Sequence, residues 1–326
     1  MIITRTPFRV SFAGGGSDLK EYYLRYGGSV LSVSIDKYIY LSMHPYFNND
    51  KFFLKYSKNE LVNDVNEIEH KIIKQVFKDF KISGVDFSSS ADIPSGTGLG
   101  SSSSFTVGLT KLCSSYTDKY MSLEDIAKYA CEVEIDKLKE PIGRQDQYAC
   151  AIGGLNFIEF GMDGNVTTEK IIIEENKLQQ LQDNLLMFYL GNTRSASNIL
   201  REQKENTIND EKRVENLHKM VNLSRELKRE LIKGNIDAMG DILHKGWTYK
   251  KELASKISNK NIDDYYDAAL RNGALGGKLL GAGGGGFLLF YAPVINHEKI
   301  RNALITLEEL KFNFSFEGSK ILYNNK

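Results

Sequence analysis

The sequence predicts an α+β protein with two unlike halves. Three observations point there. Up to about residue 175, segments with strand and helix patterns alternate. Past about residue 183 one strand is followed by a long charged helical region. The tail then reads strand, glycine run, strand, helix, strand, the pattern of an antiparallel sheet with helices beside it. The break is expected near 174–183, giving units 1–175 and 176–326.

Composition narrows the function. The chain has 326 residues, 41% hydrophobic and 26% charged, as in a globular protein. Lysine plus arginine equal aspartate plus glutamate at 42 each. No net field recruits nucleic acid or an anionic membrane. Cys113, Cys131 and Cys150 are an odd, widely spaced set, neither a disulfide framework nor a zinc site. The N-terminus lacks a signal peptide's apolar core, and no run approaches ~20 apolar residues. A cytoplasmic protein is expected, with a homodimer left open.

The elements follow in order. "SVLSVSIDKYIYLSMHPY" alternates with period two and is rich in β-branched residues, so a strand is expected, with "KFFLKYS" beside it. "EIEHKIIKQVFKDF" spaces Ile68, Ile72, Val76 and Phe80 as a helix. "GVDFSSSADIP" is extended. "SLEDIAKYACEVEIDKLK" reads as one helix opened by a capping box from Ser122 to Asp125. "GGLNFIEF", "NVTTEKIII" and "NLLMFYLG" read as strands. Helices fill about 197–260. "GKLLG" and "GFLLFYA" flank the glycine run as strands, "HEKIRNALITLEEL" reads as a helix, and "FNFSFEG" as the last strand.

Three glycine-rich places stand out: "GGGSDL" at 14–19, "PSGTGLGSSSS" at 94–104 and "GAGGGG" at 281–286. The third matches G-x-G-x-x-G, but it runs into a strand, whereas a dinucleotide site opens a helix there. A P-loop's G-x-x-x-x-G-K-[ST] is absent. In the second, Gly96, Gly98 and Gly100 precede a helix in which Phe105, Leu109 and Leu112 recur at helical spacing. A helix N-terminus presents free N–H groups to an anion, and glycine lets the backbone come close to phosphate oxygens. A flexible surface loop with a serine cap would look the same.

On the helix from Ser122, Leu123, Ile126, Ala127, Ala130, Val133 and Leu138 share a face. Glu134 lies inside that stripe, and Glu132 points nearly opposite. A carboxylate on a buried face needs a partner. A hard cation held by oxygens supplies one, with Ser101 or Ser102 adding another oxygen; a buried salt bridge is the alternative. Asp146 follows the turn "PIGR" and opens a short helix. It is placed either to hold a carboxylate at a cleft or simply to cap the helix. In "YLGNTRSASNIL", Thr193, Arg194, Ser195 and Ser197 cluster at an expected helix start. This suits a phosphate dianion, and equally an ordinary capped helix.

Together these segments resemble the GHMP kinases, the family of galactokinase, homoserine kinase and mevalonate kinase. "PSGTGLGSSS" is similar to the family's phosphate loop P-x-G-x-G-L-[GS]-S-S-[AS]. "PIGRQDQ" is similar to galactokinase's P-x-G-x-x-D-Q, and the interval from Glu134 to Asp146 matches galactokinase's. "KLLGAGGGGFLLFY" resembles the third motif. The three occur in family order over almost the whole chain.

The resemblance implies a ribosomal-protein-S5-like, ATP-binding N-terminal domain and a ferredoxin-like C-terminal domain, with the active site between them. It implies ATP and Mg²⁺ as cofactors. Pro94, Gly96, Thr97, Gly98, Leu99, Gly100, Ser101, Ser102 and Ser103 would bind the nucleotide, and Ser102 and Glu134 the metal. Asp146 and Arg9 would be catalytic. Gly281, Gly283, Gly284 and Gly285 would form a structural motif supporting the phosphate cleft. Arg9, Gly15, Gly16, Ser17, Asp18 and Asp146, with Thr193, Arg194, Ser195 and Ser197, would meet the sugar. Gly15 stands where galactokinase has an acidic residue, which removes a negative charge and frees space beside the sugar.

"RVSFAGGGSDL" with "TRSAS" resembles the sugar-1-kinase branch acting on D-glycero-D-manno-heptose 7-phosphate. The implied reaction is phosphorylation of the anomeric hydroxyl to the 1,7-bisphosphate, toward nucleotide-activated heptose for surface polysaccharide. A fucokinase-like or other GHMP sugar kinase and a non-catalytic sugar- and ATP-binding regulator remain alternatives.

Overall fold

The computed structural model describes residues 1–47, 50–191 and 196–325. The first half contains β1 (Ile2–Ala13), α1 (Lys20–Tyr26), β2 (Gly28–Pro45), β3 (Phe52–Lys55), β4 (Asn59–Val62), α2 (Lys71–Phe80), β5 (Val85–Ala91) and α3 (Ser101–Tyr116). It continues through α4 (Leu123–Cys131), α5 (Gln145–Ile152), β6 (Leu155–Phe160), β7 (Val166–Lys170) and α6 (Glu175–Asp183). The second half has β8 (Leu185–Tyr189), then α7 (Ala196–Asn209), α8 (Glu211–Ile232), α9 (Ala238–Lys251) and α10 (Lys260–Arg271). It ends with β9 (Gly276–Leu279), β10 (Phe287–Tyr291), α11 (His297–Ala303), β11 (Glu308–Glu309) and β12 (Lys320–Asn324).

Among the described residues the strands form two sheets. The first runs β12-β1-β2-β5-β3-β4, with β6 and β7 joined to β2. β2 reaches both branches because it is long: Gly28 to Val33 pair with β6, and Ile39 to Pro45 pair with β5. The second sheet runs β11-β8-β10-β9, all antiparallel. With the chain order β8, helices, β9, β10, α11, β11, this is the ferredoxin-like arrangement expected. One apolar core joins the sheets: Phe8 and Val10 of β1 pack in the same cluster as Leu227 of α8 and Leu289 of β10. That shared core fixes the cleft between the halves.

Several local expectations need correction. The helix expected from residue 67 begins only at Lys71. His70 caps it, its Nδ1 accepting from Ile73 N at 3.4 Å, while a 3-10 turn at Val65–Glu67 precedes it. Ile68 is buried just outside the helix. The helix expected over 297–310 stops at Ala303, and Glu308–Glu309 pair with β8. "FNFSFEG" is not a strand. Phe314 makes one bridge to Ile35 and packs against Phe12 at 6.4 Å between ring centroids. The last strand is β12, which pairs with β1 instead of joining the second sheet. The helix opened by Ser122 has its capping box, but after Cys131 it widens into a π-turn over Glu132–Lys137. No helix among the described residues is long and apolar enough to cross a membrane.

Candidate active site

A cavity of about 1060 Å³ lies between the two halves. One wall is the loop between β5 and α3. Gly96, Gly98 and Gly100 there have φ of 77°, 87° and 80°, the left-handed region that side chains disfavour. Sterics add a second reason for glycine: a Cβ on Gly98 would lie 2.6 Å from Leu280 O, and one on Gly281 would lie 2.4 Å from Gly98 Cα. The loop at 281–286 therefore abuts the loop at 94–100 by backbone contact. Gly283 packs likewise on Ile257, and Gly284 N donates to Ile257 O at 2.9 Å. Gly285 joins Gly281 and Gly283 in lining the cavity.

Pro94, Gly96, Gly98, Gly100, Ser101, Ser102 and Ser103 also line it. Ser101 to Ser103 form the first turn of α3, whose N–H groups have no partners within the helix. Thr97 and Leu99 turn inward instead. Both are fully buried; Thr97 Oγ1 donates to Pro94 O at 3.1 Å, and Leu99 O accepts from Arg9 N at 3.0 Å.

The π-turn after α4 directs Glu134 toward that helix start. Glu134 Oε1 accepts from Ser102 Oγ at 2.6 Å; Oε2 accepts from Ser103 Oγ at 2.9 Å and from Gln147 Nε2 at 2.8 Å. The carboxylate is fully buried and has no cationic side chain among the described residues, so the salt-bridge alternative is not what the structure contains. Burial pushes its pKa up against the pull of these hydrogen bonds. The described residues hold no group of three or more His, Cys, Asp or Glu side chains placed to hold a metal ion. A carboxylate and a hydroxyl, both hard oxygen donors, fit Mg²⁺, which binds through one or two carboxylates plus phosphates and water.

Arg9 and Asp146 meet at the centre. Arg9 Nε donates to Asp146 Oδ1 at 2.8 Å and Nη2 to Oδ2 at 2.7 Å, while Nη1 donates to Gly98 O at 2.7 Å. One guanidinium thus ties the glycine loop to the first turn of α5. Asp18 sits beside them. Its Oδ1 accepts from Gly16 N at 2.9 Å and Gln145 Nε2 at 3.1 Å, and its Oδ2 from Gln145 N at 3.3 Å. Burial, then the neighbouring Asp146 charge, pushes the Asp18 pKa up. Gly15 and Gly16 line the cavity next to it. Ser17, expected to meet the sugar, faces the protein: its hydroxyl donates to Gly14 O at 2.8 Å and closes the loop. Thr193, Arg194 and Ser195 lie outside the described residues, as does the side chain of Ser197.

The structure adds residues that the sequence reading missed. Lys250 and Lys278 line the cavity although both are buried. Lys278 carried a signal, being a lysine in an apolar strand; Lys250, among other charges on α9, carried none. Ser11 Oγ and Gln145 Oε1 line the cavity as buried oxygens without a partner among the described residues. The end beyond the glycine loop is walled by Ile39, Tyr56, His70, Ile72, Ile93 and Phe105.

Comparison with known proteins gives the following. A family model described as "GHMP kinases N terminal domain" matches residues 63–154, and one described as "GHMP kinases C terminal" matches 227–305. A D-glycero-alpha-D-manno-heptose 7-phosphate kinase of Campylobacter jejuni is 31% identical over 98% of this chain and 98% of its own. A crystal structure titled as a putative sugar kinase, also from Campylobacter jejuni, is 28% identical with a TM-score of 0.78, covering 98% of this chain and 97% of that one. A crystal structure titled as a D-glycero-D-manno-heptose 1-phosphate kinase from Bacteroides thetaiotaomicron has a TM-score of 0.81 over all of both chains at 22% identity, a likeness of fold.

Proposed function

Because the chain belongs to the GHMP kinase family, as a sugar kinase that transfers a phosphoryl group from ATP to an alcohol, we propose that it phosphorylates the anomeric hydroxyl of D-glycero-D-manno-heptose 7-phosphate. The observation that carries this reading is the double reach of Arg9. It bonds Gly98 of the glycine loop and Asp146 at the same time, so the place for the phosphates and the place for the sugar hydroxyl adjoin. The full-length relative of 31% identity bears the name of a heptose 7-phosphate kinase and supports the substrate.

The residues then have the following roles. The backbone of 96–102 cradles the phosphates at the start of α3. Ser102 and Glu134 would hold Mg²⁺, which would supply positive charge to neutralise that developing on the phosphates. Arg9 fixes the Asp146 carboxylate in one plane and sets a positive charge beside the transferring group. Each Asp146 oxygen keeps a lone pair for the sugar. The anomeric oxygen attacks the γ-phosphorus, the bond to the ADP oxygen breaks, and Asp146 accepts the hydroxyl proton. An anomeric hydroxyl is more acidic than an ordinary alcohol, so this transfer demands less of the base. Asp18, Gln145 and Ser11 orient the other hydroxyls, and the apolar end around Phe105 and His70 takes the base.

The test is ADP release with Mg·ATP and, in turn, D-glycero-D-manno-heptose 7-phosphate, the unphosphorylated heptose and L-fucose. The phosphosugar should have the highest kcat/KM, by up to ~10⁴ where buried donors await its phosphate. Equal values for the two heptoses, or preference for fucose, would move the assignment to another sugar of the family.

A further inference from the structure

Two cations in the cleft have no part in that scheme. Lys250, in the last turn of α9, is 9% exposed, and Lys278, on β9, is 6% exposed. Lys250 Nζ donates to Leu279 O at 2.9 Å and to Gly281 O at 2.5 Å. Lys278 Nζ donates to Phe12 O at 3.0 Å. A protonated lysine has three donors, so in that form one remains on Lys250 and two on Lys278, and both residues line the cavity. Trp247, whose ring centroid is 6.0 Å from Lys250 Nζ, is the other contact on α9.

The charges around them are of the same sign. Arg9 from β1 acts on Lys250, and Lys250 and Arg9 act on Lys278. The carboxylates lining this part of the cleft are engaged elsewhere: Asp146 with Arg9, Asp18 with Gly16 and Gln145, Glu134 with two serines and Gln147. Protonating a buried lysine without a counter-charge is costly unless an anion arrives to pair with it. Location says which anion. Lys250 is anchored on Gly281, which abuts Gly98 of the phosphate loop. Lys278 is anchored on Phe12, two residues before the loop that carries Gly15 and Gly16.

We propose that Lys250 and Lys278 form a phosphate-binding pair on the second-half wall of the cleft, at the junction of the phosphate loop and the sugar loop. This rests on the kinase reading above and adds to it a site for the phosphate group that lies between nucleotide and sugar. Burial and Arg9 push Lys250 down to about 7, and burial with its two cationic neighbours pushes Lys278 well below the ordinary lysine range. Both lysines therefore give up their protons more readily than an ordinary lysine, and a bound phosphate draws protons back onto them.

Titration calorimetry at pH 8 in two buffers of different ionisation enthalpy measures that uptake. The probes are AMP-PNP, ADP and D-glycero-D-manno-heptose 7-phosphate, without metal. Net proton uptake should accompany AMP-PNP binding. Uptake with AMP-PNP but not ADP assigns the γ-phosphate as occupant; uptake with the phosphosugar assigns the sugar's phosphate. Lys250→Met and Lys278→Met keep the aliphatic stems, and each should remove at least half of the uptake. A purely structural lysine would not change this quantity. The unmodified protein serves alone if either variant fails to fold. Binding of the probes without proton uptake, or uptake unaltered in both variants, overturns this proposal alone. Failure of both nucleotides to bind overturns the kinase reading with it.

Discussion

Arg9 and Asp146, 137 positions apart, are joined by two parallel hydrogen bonds of 2.8 and 2.7 Å, and the arginine is almost wholly buried. The pairing makes the aspartate rigid and makes its charge structurally necessary. Neither residue can be altered without exposing the other's need for a partner.

Asp146→Asn tests both consequences. The amide presents one donor to a guanidinium that offers only donors, so one hydrogen bond is lost and a buried cation loses its counter-charge. Stability should fall by about 1–3 kcal/mol in urea unfolding, and kcat by roughly 10²–10⁴, the scale of a positioned acid or base. A near-normal kcat would remove Asp146 from the reaction.

Glu134→Gln should separate stability from metal use. Burial raises the Glu134 pKa, so above the unfolded-state value near 4.5 the charged form is held at a cost in the folded protein. Removing the charge should leave the thermal midpoint at neutral pH unchanged or higher. The Mg²⁺ concentration for half-maximal rate should rise roughly tenfold or more, with little change in sugar KM. An unchanged Mg²⁺ titration would make Glu134 a structural group only.

Legibility in the sequence followed from how local each feature is. The loop at 94–104 was readable because glycine positions and the helix after them are neighbours in the chain. The Ser122 capping box was readable for the same reason. Glu134 betrayed itself by lying in an apolar stripe, although the π-turn that aims it did not show. The sequence resemblance, and no spacing, suggested that Arg9 and Asp146 work together. β12 was missed because a short edge strand is specified by its partner β1 more than by its own residues. Ser17 was misread because loop closure and ligand contact call for the same small hydroxyl. Lys250 carried no signal because its burial depends on the packing of α9 against β9, which the local sequence does not display.

Gly281→Ala should act at a distance on the nucleotide. Gly281 has φ of 73°, and an added Cβ would meet Gly98 Cα at 2.4 Å. Left-handed strain costs roughly 1–2 kcal/mol, and the clash displaces the phosphate loop itself. Calorimetry with an ATP analogue should show affinity at least about tenfold weaker, with one molecule per chain in the unmodified protein. A stoichiometry of two would mean that the 281–286 loop is a nucleotide site in its own right.

The last prediction concerns alkaline pH and follows from Lys250. Its pKa is pushed down to about 7 in the folded protein, chiefly by burial and then by Arg9, against about 10.4 in an unfolded chain. Between these values the unfolded state holds a proton that the folded state has released. Stability therefore rises with pH in that window, by up to about 1.4 kcal/mol per pH unit for a single lysine, and the gain is wholly lost once pH has fallen to about 7. Lys278 shifts in the same direction and adds to it. Other groups titrate there too, so the quantity to measure is the difference between the unmodified protein and Lys250→Met. Urea unfolding at pH 7.5, 8.5 and 9.5 should show the unmodified protein gaining on the variant at each step. A constant difference across the three values would mean that Lys250 keeps an ordinary lysine pKa in the folded protein and is charged in the free cleft.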